Sequence, residues 1–257
     1  MMSTVKDILH FIESIAPPTL KMEGDNVGLL CGRADKEVKT VLVALDPFPP
    51  VCREAAEEQA DLLVTHHPLI HGSITSVTDQ TTYGQAILEL MAHNISAVNA
   101  HTNLDCADGG VNDTLAARLG LSHIQKISAD PYGLLRQGQV DTQSLEDFLA
   151  KVKANLGCAG LRYTDGGKEV RKVAVGGGSC GSELAAVAAA GCDTFITADV
   201  KYNQFWDAKM LGINMIDAGH FHTENPVVAV LAEKIQAAFP RIQVKISKSH
   251  CDCMKFY

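Results

Sequence analysis

No stretch of this sequence is basic enough to grip a phosphate backbone. Lys and Arg number 22 against 30 Asp and Glu, for a net charge of −8. The nearest approach to a basic cluster is Arg241, Lys245 and Lys248, spread along the tail. Proteins that hold nucleic acid non-specifically carry a basic stripe, so nucleic acid is disfavoured as a partner. Long apolar runs are also missing: none approaches the roughly 18 residues of a membrane span. Lys6 and Asp7 interrupt the segment Met1–His10, and no signal peptide is expected there. The cysteines (31, 52, 106, 158, 180, 192, 251 and 253) include no C-x-x-C pair. Reduced thiols are therefore expected rather than disulfides, and Cys251-Asp252-Cys253 reads as a tail with two thiols rather than a soft-metal site. Tandem repeats and low-complexity linkers are absent as well. A cytoplasmic protein without a membrane partner is the expectation.

What is present is apolar and regularly interrupted. Of 257 residues, 46% are hydrophobic and 20% charged, enough for a large core in one big domain or two small ones. Val5, Ile8, Leu9, Ile12 and Ile15 recur at helical spacing over residues 3–16, and Pro17-Pro18 stops that helix. Residues 41–45 read as a buried strand, followed by a helix to about residue 59 and a second strand over 61–65. A helix over 84–94, a strand over 95–100 and a helix over 111–119 continue the rhythm. Such strand–helix–strand units make parallel sheets. Further on, 145–156 is an amphipathic helix, and 161–164 and 170–175 are strands around the turn Asp165-Gly166-Gly167. Gly176-Gly177-Gly178-Ser179 leads into an Ala-rich helix, and 194–197 and 213–216 are strands. Asn225-Pro226 looks like a helix start, with the helix running to about Ala238. Ile242, Val244 and Ile246 alternate as a last strand. Ala129-Asp130-Pro131 is the best boundary. The expected fold is α/β, with residues 1–128 forming a first lobe completed by 217–257, and 129–216 forming a second.

Three polar clusters break this scaffold, each where a strand is expected to end. Thr65-His66-His67-Pro68 follows Val64, His101-Thr102-Asn103-Leu104-Asp105 follows Ala100, and Asp217 to Glu224 follows Ile216. Ligands of open α/β sheets gather beyond the carboxyl ends of strands. Imidazole with carboxylate suits Zn, Mn, Fe or Ni, whereas Ca and Mg prefer all-oxygen shells. Adjacent residues of an extended chain point opposite ways, so His66 and His67 can serve different ions. A carboxylate such as Glu224 can bridge two ions, which two-metal sites hold about 3.5–4 Å apart.

Plainer readings stand beside each residue. His10, His71, His93, His123 and His250 read as hydrogen-bonded surface residues. His220 and Glu224 are four apart, the spacing of an ordinary helical pair, although Asn225-Pro226 places them before a helix. Asp105 alone is an N-cap candidate for a helix beginning near Gly109. Gly176 to Ser179 is either a phosphate cradle or a tight turn without a ligand. Cys180 reads as a packing residue rather than a nucleophile. Taken together, the clusters favour a metal.

The motifs are also recognisable as a set: Asp25-Asn26-Val27-Gly28-Leu29, Thr65-His66-His67-Pro68-Leu69, His101-Thr102-Asn103-Leu104-Asp105, Gly176-Gly177-Gly178-Ser179, Asp199-Val200-Lys201-Tyr202, and Asp217-Ala218-Gly219-His220 with Glu224. In this order, over nearly the whole chain, they resemble the NGG-interacting-factor-three-like family of dinuclear-metal proteins. Bacterial members of that family are often labelled GTP cyclohydrolase 1 type 2 homologues. The resemblance implies two intertwined α/β lobes with the metal site at strand ends between them. It implies that His66, His67, Asp105, His220 and Glu224 hold two divalent ions, with Zn, Fe or Mn as the expected metals. Glu224 would bridge, with His66 and His220 on one ion and His67 and Asp105 on the other. His101 becomes either an outer residue orienting a ligand or an acid–base group. A ring-like homohexamer is implied. The chain departs from the family in carrying Asn203 where a His is usual, and His222 where a small residue is frequent. His101 and His222 are thus the candidates for proton transfer.

The function that follows is metal-assisted hydrolysis of GTP or of a phosphate ester. The rival is a metal-binding scaffold, metal carrier or regulatory partner without turnover.

Overall fold

Parallel strands covered on both faces need continuous apolar runs, and the chain supplies them twice, in two separate sheets. The computed structural model describes residues 3–257. The first compact unit runs to Asp108 and resumes over Val228–Cys251; the second is Gly109–Val227 with Asp252–Tyr257.

The first unit carries β1 (Gly28–Cys31), β2 (Thr40–Ala44), β3 (Leu62–Thr65), β4 (Ser96–Asn99) and, from the returning chain, β11 (Gln243–Ile246). The sheet order is β1-β4-β3-β2-β11. β2, β3, β4 and β11 are parallel, and β1 runs antiparallel on β4. Leu42, Leu63, Leu90, Ile95 and Ala97 share one core between the sheet and its helices. The helix Val5–Ile15 follows the expected pattern, and Thr4 and Asp7 close it with a capping box. Register then sets the chemistry. Ala44 pairs with Thr65, and Thr65 with Asn99. β2, β3 and β4 therefore end side by side, and the residues just beyond them, Asp46, His66, His67 and His101, emerge at one sheet end.

The second unit carries β5 (Ser122–Lys126), β6 (Arg136–Gln143), β7 (Arg162–Thr164), β8 (Val170–Val175), β9 (Thr194–Thr197) and β10 (Asn214–Asp217). Their order is β5-β6-β8-β9-β10-β7. Only β8, β9 and β10 are mutually parallel. Val175 pairs with Ile196, and Asp217 with Thr197. The glycine run, Asp199 and His220 thus leave neighbouring strand ends.

The division of the chain differs from the expected one. Residues 109–128 and 217–227 belong to the second unit. The reason is their packing: Leu115, Leu119 and Leu121 share a core with Phe148, Val173, Ile196 and Ile216. Ala129-Asp130-Pro131 is not a boundary. The Asp130 carboxylate is buried and accepts N–H bonds from Tyr132 and Leu135, which makes the segment an internal turn. β7 and β8 flank the expected turn but do not form a hairpin, because β7 pairs with β10 and β8 with β6 and β9. A Cβ at Gly166 would lie 2.5 Å from the Ile213 backbone, so the glycine lets the chain cross the start of β10. β1, β5 and β6 were not expected. β5 is mostly exposed and polar, with no apolar alternation to betray it. No disulfide forms among the described residues. Among them, too, no helix is long and apolar enough to cross a membrane.

Candidate metal centre

In the first unit, His66 follows β3 directly and is buried. Its Nδ1 lies 2.9 Å from the Ala100 carbonyl oxygen. A carbonyl only accepts, so Nδ1 carries a proton and Nε2 is the nitrogen left to face a ligand. That Nε2 stands 3.6 Å from Asp105 Oδ1. His67, the next residue, projects differently, with Nδ1 2.6 Å from Oδ1 of Asp46 beyond β2. His101 completes the group, with Nδ1 2.8 Å from Asp25 Oδ1. Asp25 is itself held: its other oxygen accepts from the Thr102 N–H and hydroxyl. The rings of His66 and His67 are 4.8 Å apart, and those of His66 and His101 5.3 Å. One nitrogen from each of His66, His67 and His101 lies within 4.8 Å of the other two, close enough for a metal ion to hold them.

Asp105 reaches this group through local helix geometry. Thr102–Cys106 is a short helix, and the Asp105 N–H bonds the His101 carbonyl at 3.1 Å. One turn therefore brings the buried Asp105 carboxylate back beside His66. It does not cap the next helix, whose N-cap is Gly110. His66 and Asp105 are thus neighbours within this unit.

Burial and hydrogen bonding pull the Asp25–His101 pair in definite directions. Burial alone would raise the Asp25 carboxyl, but the bonds from His101 and Thr102 outweigh it and hold its pKa below the ordinary value. Burial, with the neighbouring His66, pushes the His101 imidazole down against the pull of Asp25. His101 is therefore neutral at pH 7, with a lone pair on Nε2.

In the second unit, Gly219 turns the chain out of β10 at φ +85°, and the short helix His220–Glu224 follows. The helical spacing puts His220 Nε2 3.0 Å from Glu224 Oε2. The two residues form their own helical turn just before the helix Pro226–Ala238, which reconciles the alternatives read from the sequence. His220 Nδ1 is 2.7 Å from Asp199 Oδ2. The Glu224 carboxylate is buried.

The glycine run is not a phosphate cradle. Its N–H groups are spent inside the protein: Gly176 on Ile196, Gly177 on Asn112 and Gly178 on Thr223. His222 points away from its helical neighbours: Nδ1 faces the Leu156 carbonyl at 3.3 Å, and Nε2 faces Asp252 at 3.2 Å. Two residues on from His220, it stands about 200° around the helix. His10, His71, His93 and His123 are exposed, as expected, whereas His250 is half-buried and burial lowers its pKa.

The profile of the family described as Duf34/NIF3 (NGG1p interacting factor 3) matches residues 3–252. The chain belongs to this family. It is 34% identical over 259 residues to a Clostridium perfringens protein named GTP cyclohydrolase 1 type 2 homolog, covering 98% of this chain and 99% of the relative. Among solved structures, a Bacillus cereus protein related to NIF3 superposes with a TM-score of 0.93 at 25% identity, covering 100% and 99% of the two chains. Reduced HcgD from Methanocaldococcus jannaschii superposes with a TM-score of 0.83 at 31% identity, covering 96% and 99%.

In this Duf34/NIF3 chain, Asn203 is exposed at the start of the helix Tyr202–Met210. Asp25, Asp46 and Asp199 are the residues that sequence reasoning missed. Each holds the Nδ1 of one histidine. Asp25 and Asp199 lay inside recognised motifs and Asp46 at a strand end; an Asp at a strand end beside a His-bearing strand was the available signal.

Proposed function

We propose that this chain is a dinuclear-metal protein that hydrolyses a nucleotide or another small phosphate-containing molecule. One observation supports this most: His66, His67, His101 and His220 each commit Nδ1 to a carbonyl or carboxylate. Such anchoring fixes the tautomer and aims Nε2, which is what metal coordination by imidazole requires. In this reading His66, His67, Asp105, His220 and Glu224 hold two divalent ions, with Zn, Fe or Mn as the chemistry of the donors suggests. His66 and Asp105, as near neighbours, would hold one ion and His67 the other, and Glu224 would supply a carboxylate to both. Bound divalent ions supply Lewis acidity and an activated water.

The protein's own residues then handle the proton. Neutral His101 accepts it at Nε2, while Asp25 holds the ring and steadies the imidazolium. His222 is left out of this role because both its nitrogens face Leu156 and Asp252. The name of the curated relatives directs the substrate search to GTP first. A homohexameric ring and a cytoplasmic location belong to the same proposal; light scattering of the purified protein reads the assembly.

The test is elemental analysis followed by a substrate screen with added Mn, Fe or Zn. About two ions per chain are expected, with turnover of GTP or a phosphoester that Glu224→Ala abolishes while circular dichroism stays unchanged. Two ions without turnover of any candidate would favour the scaffold or carrier role. No uptake of metal would overturn both.

A further inference from the structure

Most left-handed glycines in this chain serve the backbone alone. Gly120, Gly157 and Gly191 have φ of +77°, +67° and +68°, and a Cβ on any of them would meet nothing within 4 Å. Gly178 is different. Its φ is +65°, and a Cβ there would collide with Glu224 Oε1, while lying 3.2 Å from both Glu224 Cδ and His220 Nε2. Gly177 adds to the same wall, since its Cβ would come within 3.3 Å of Glu224 Cγ.

We propose that Gly178 is the positioning residue for the His220–Glu224 pair: its bare Cα is the space that the Glu224 carboxylate needs to face a metal ion. The inference rests on the metal-binding reading of that pair.

The loop cannot yield to a side chain. The Gly178 N–H donates to Thr223 Oγ1 at 3.0 Å. Its carbonyl accepts from Ala198 N at 2.8 Å and Thr197 Oγ1 at 2.9 Å. These partners are buried, so moving Gly178 would strand several polar groups at once. Glu224 would move instead, and it too is buried, with no solvent to swing into.

Thr223 links the loop to the short helix. Its hydroxyl takes the Gly178 N–H and lies 3.0 Å from the Gly219 carbonyl and 2.9 Å from the His220 carbonyl. The same peptide therefore sets both the floor under Glu224 and the height of the turn that carries it. A glycine run that looks like a phosphate loop is thereby explained as a template for a carboxylate.

The experiment compares the full-length wild type with Gly178→Ala, Gly157→Ala, Thr223→Val and Thr223→Ser. Each is loaded with cobalt(II), its ions are counted, and its affinity is read by chelator competition and by the visible cobalt spectrum. Both Gly→Ala variants pay the left-handed backbone cost, so Gly157→Ala controls for it. Gly178→Ala is expected to bind roughly 10- to 100-fold more weakly, with an altered spectrum, while Gly157→Ala matches the wild type. Thr223→Val should weaken binding in the same direction, and Thr223→Ser should restore it. Equal affinity in Gly178→Ala and Gly157→Ala overturns the role of Gly178. If Gly178→Ala does not fold, wild-type affinity in Thr223→Val overturns it. A wild type that takes up no cobalt overturns the metal reading itself, and this inference with it.

Discussion

Asp46 Oδ1 and His67 Nδ1 lie 2.6 Å apart although 21 residues separate them in the chain. The parallel pairing of β2 with β3, Ala44 beside Thr65, brings the two strand ends together. A carboxylate on Nδ1 makes the imidazole a stronger donor at Nε2 and stops it from rotating. Asp46→Ala should therefore weaken metal binding roughly 10- to 100-fold with little change in fold. Chelator competition measures the first, circular dichroism the second.

His222 should be dispensable for metal. Its Nε2 pairs with Asp252 in the tail of the second unit. His222→Ala is expected to keep the wild-type metal content while exposing residues 252–257 to carboxypeptidase, read by mass spectrometry of timed digests. A loss of metal equal to that of His220→Ala would return His222 to the site.

Glu54 gives the stability a distinct acid limb. Its buried carboxylate accepts from the Lys248 and Ser249 N–H groups and from the Ser247 hydroxyl. Burial would raise its pKa, but these bonds prevail and hold it below the ordinary value. With the folded pKa depressed, the contribution is complete above the unfolded value of about 4.3 and is lost as pH falls through the lower folded value. Glu54→Gln should cost about 1–3 kcal/mol at pH 7 and flatten this dependence. Urea midpoints at pH 7 and at pH 3 give both quantities.

Thr4→Ala should cost about 1 kcal/mol by opening the capping box with Asp7. The Asp7 carboxyl is held below its usual range by bonds from the Thr4 backbone and hydroxyl. Thermal melts of the variant, set beside Asp7→Ala and the double variant, test whether the two residues act as one unit: the single losses should not add.

Much of the first sheet was legible because burial on both faces demands unbroken apolar runs, and Val41 to Ala44 and Leu62 to Val64 supply them. The polar strands of the second sheet were not legible. β5 and β6 are rich in polar residues and owe their existence to pairing partners rather than to their own pattern. The unit boundary was misplaced for a related reason: nothing local tells that Leu115 and Leu121 pack on Phe148 rather than on the preceding lobe.

The candidate site divides in the same way. The sequence by itself determined which residues could bind metal, because histidine and carboxylate clusters at strand ends are a matter of residue type and order. Only the tertiary structure decided how they are aimed. That Asp46, Asp25 and Asp199 each hold one histidine depends on which strands are neighbours and in what register. That Asp105 faces His66 depends on one turn of helix. That Gly178 must lack a side chain depends on a carboxylate 46 positions later in the chain. Hydrogen bonds and steric exclusion act over a few ångströms, and distance along the chain carries no record of them.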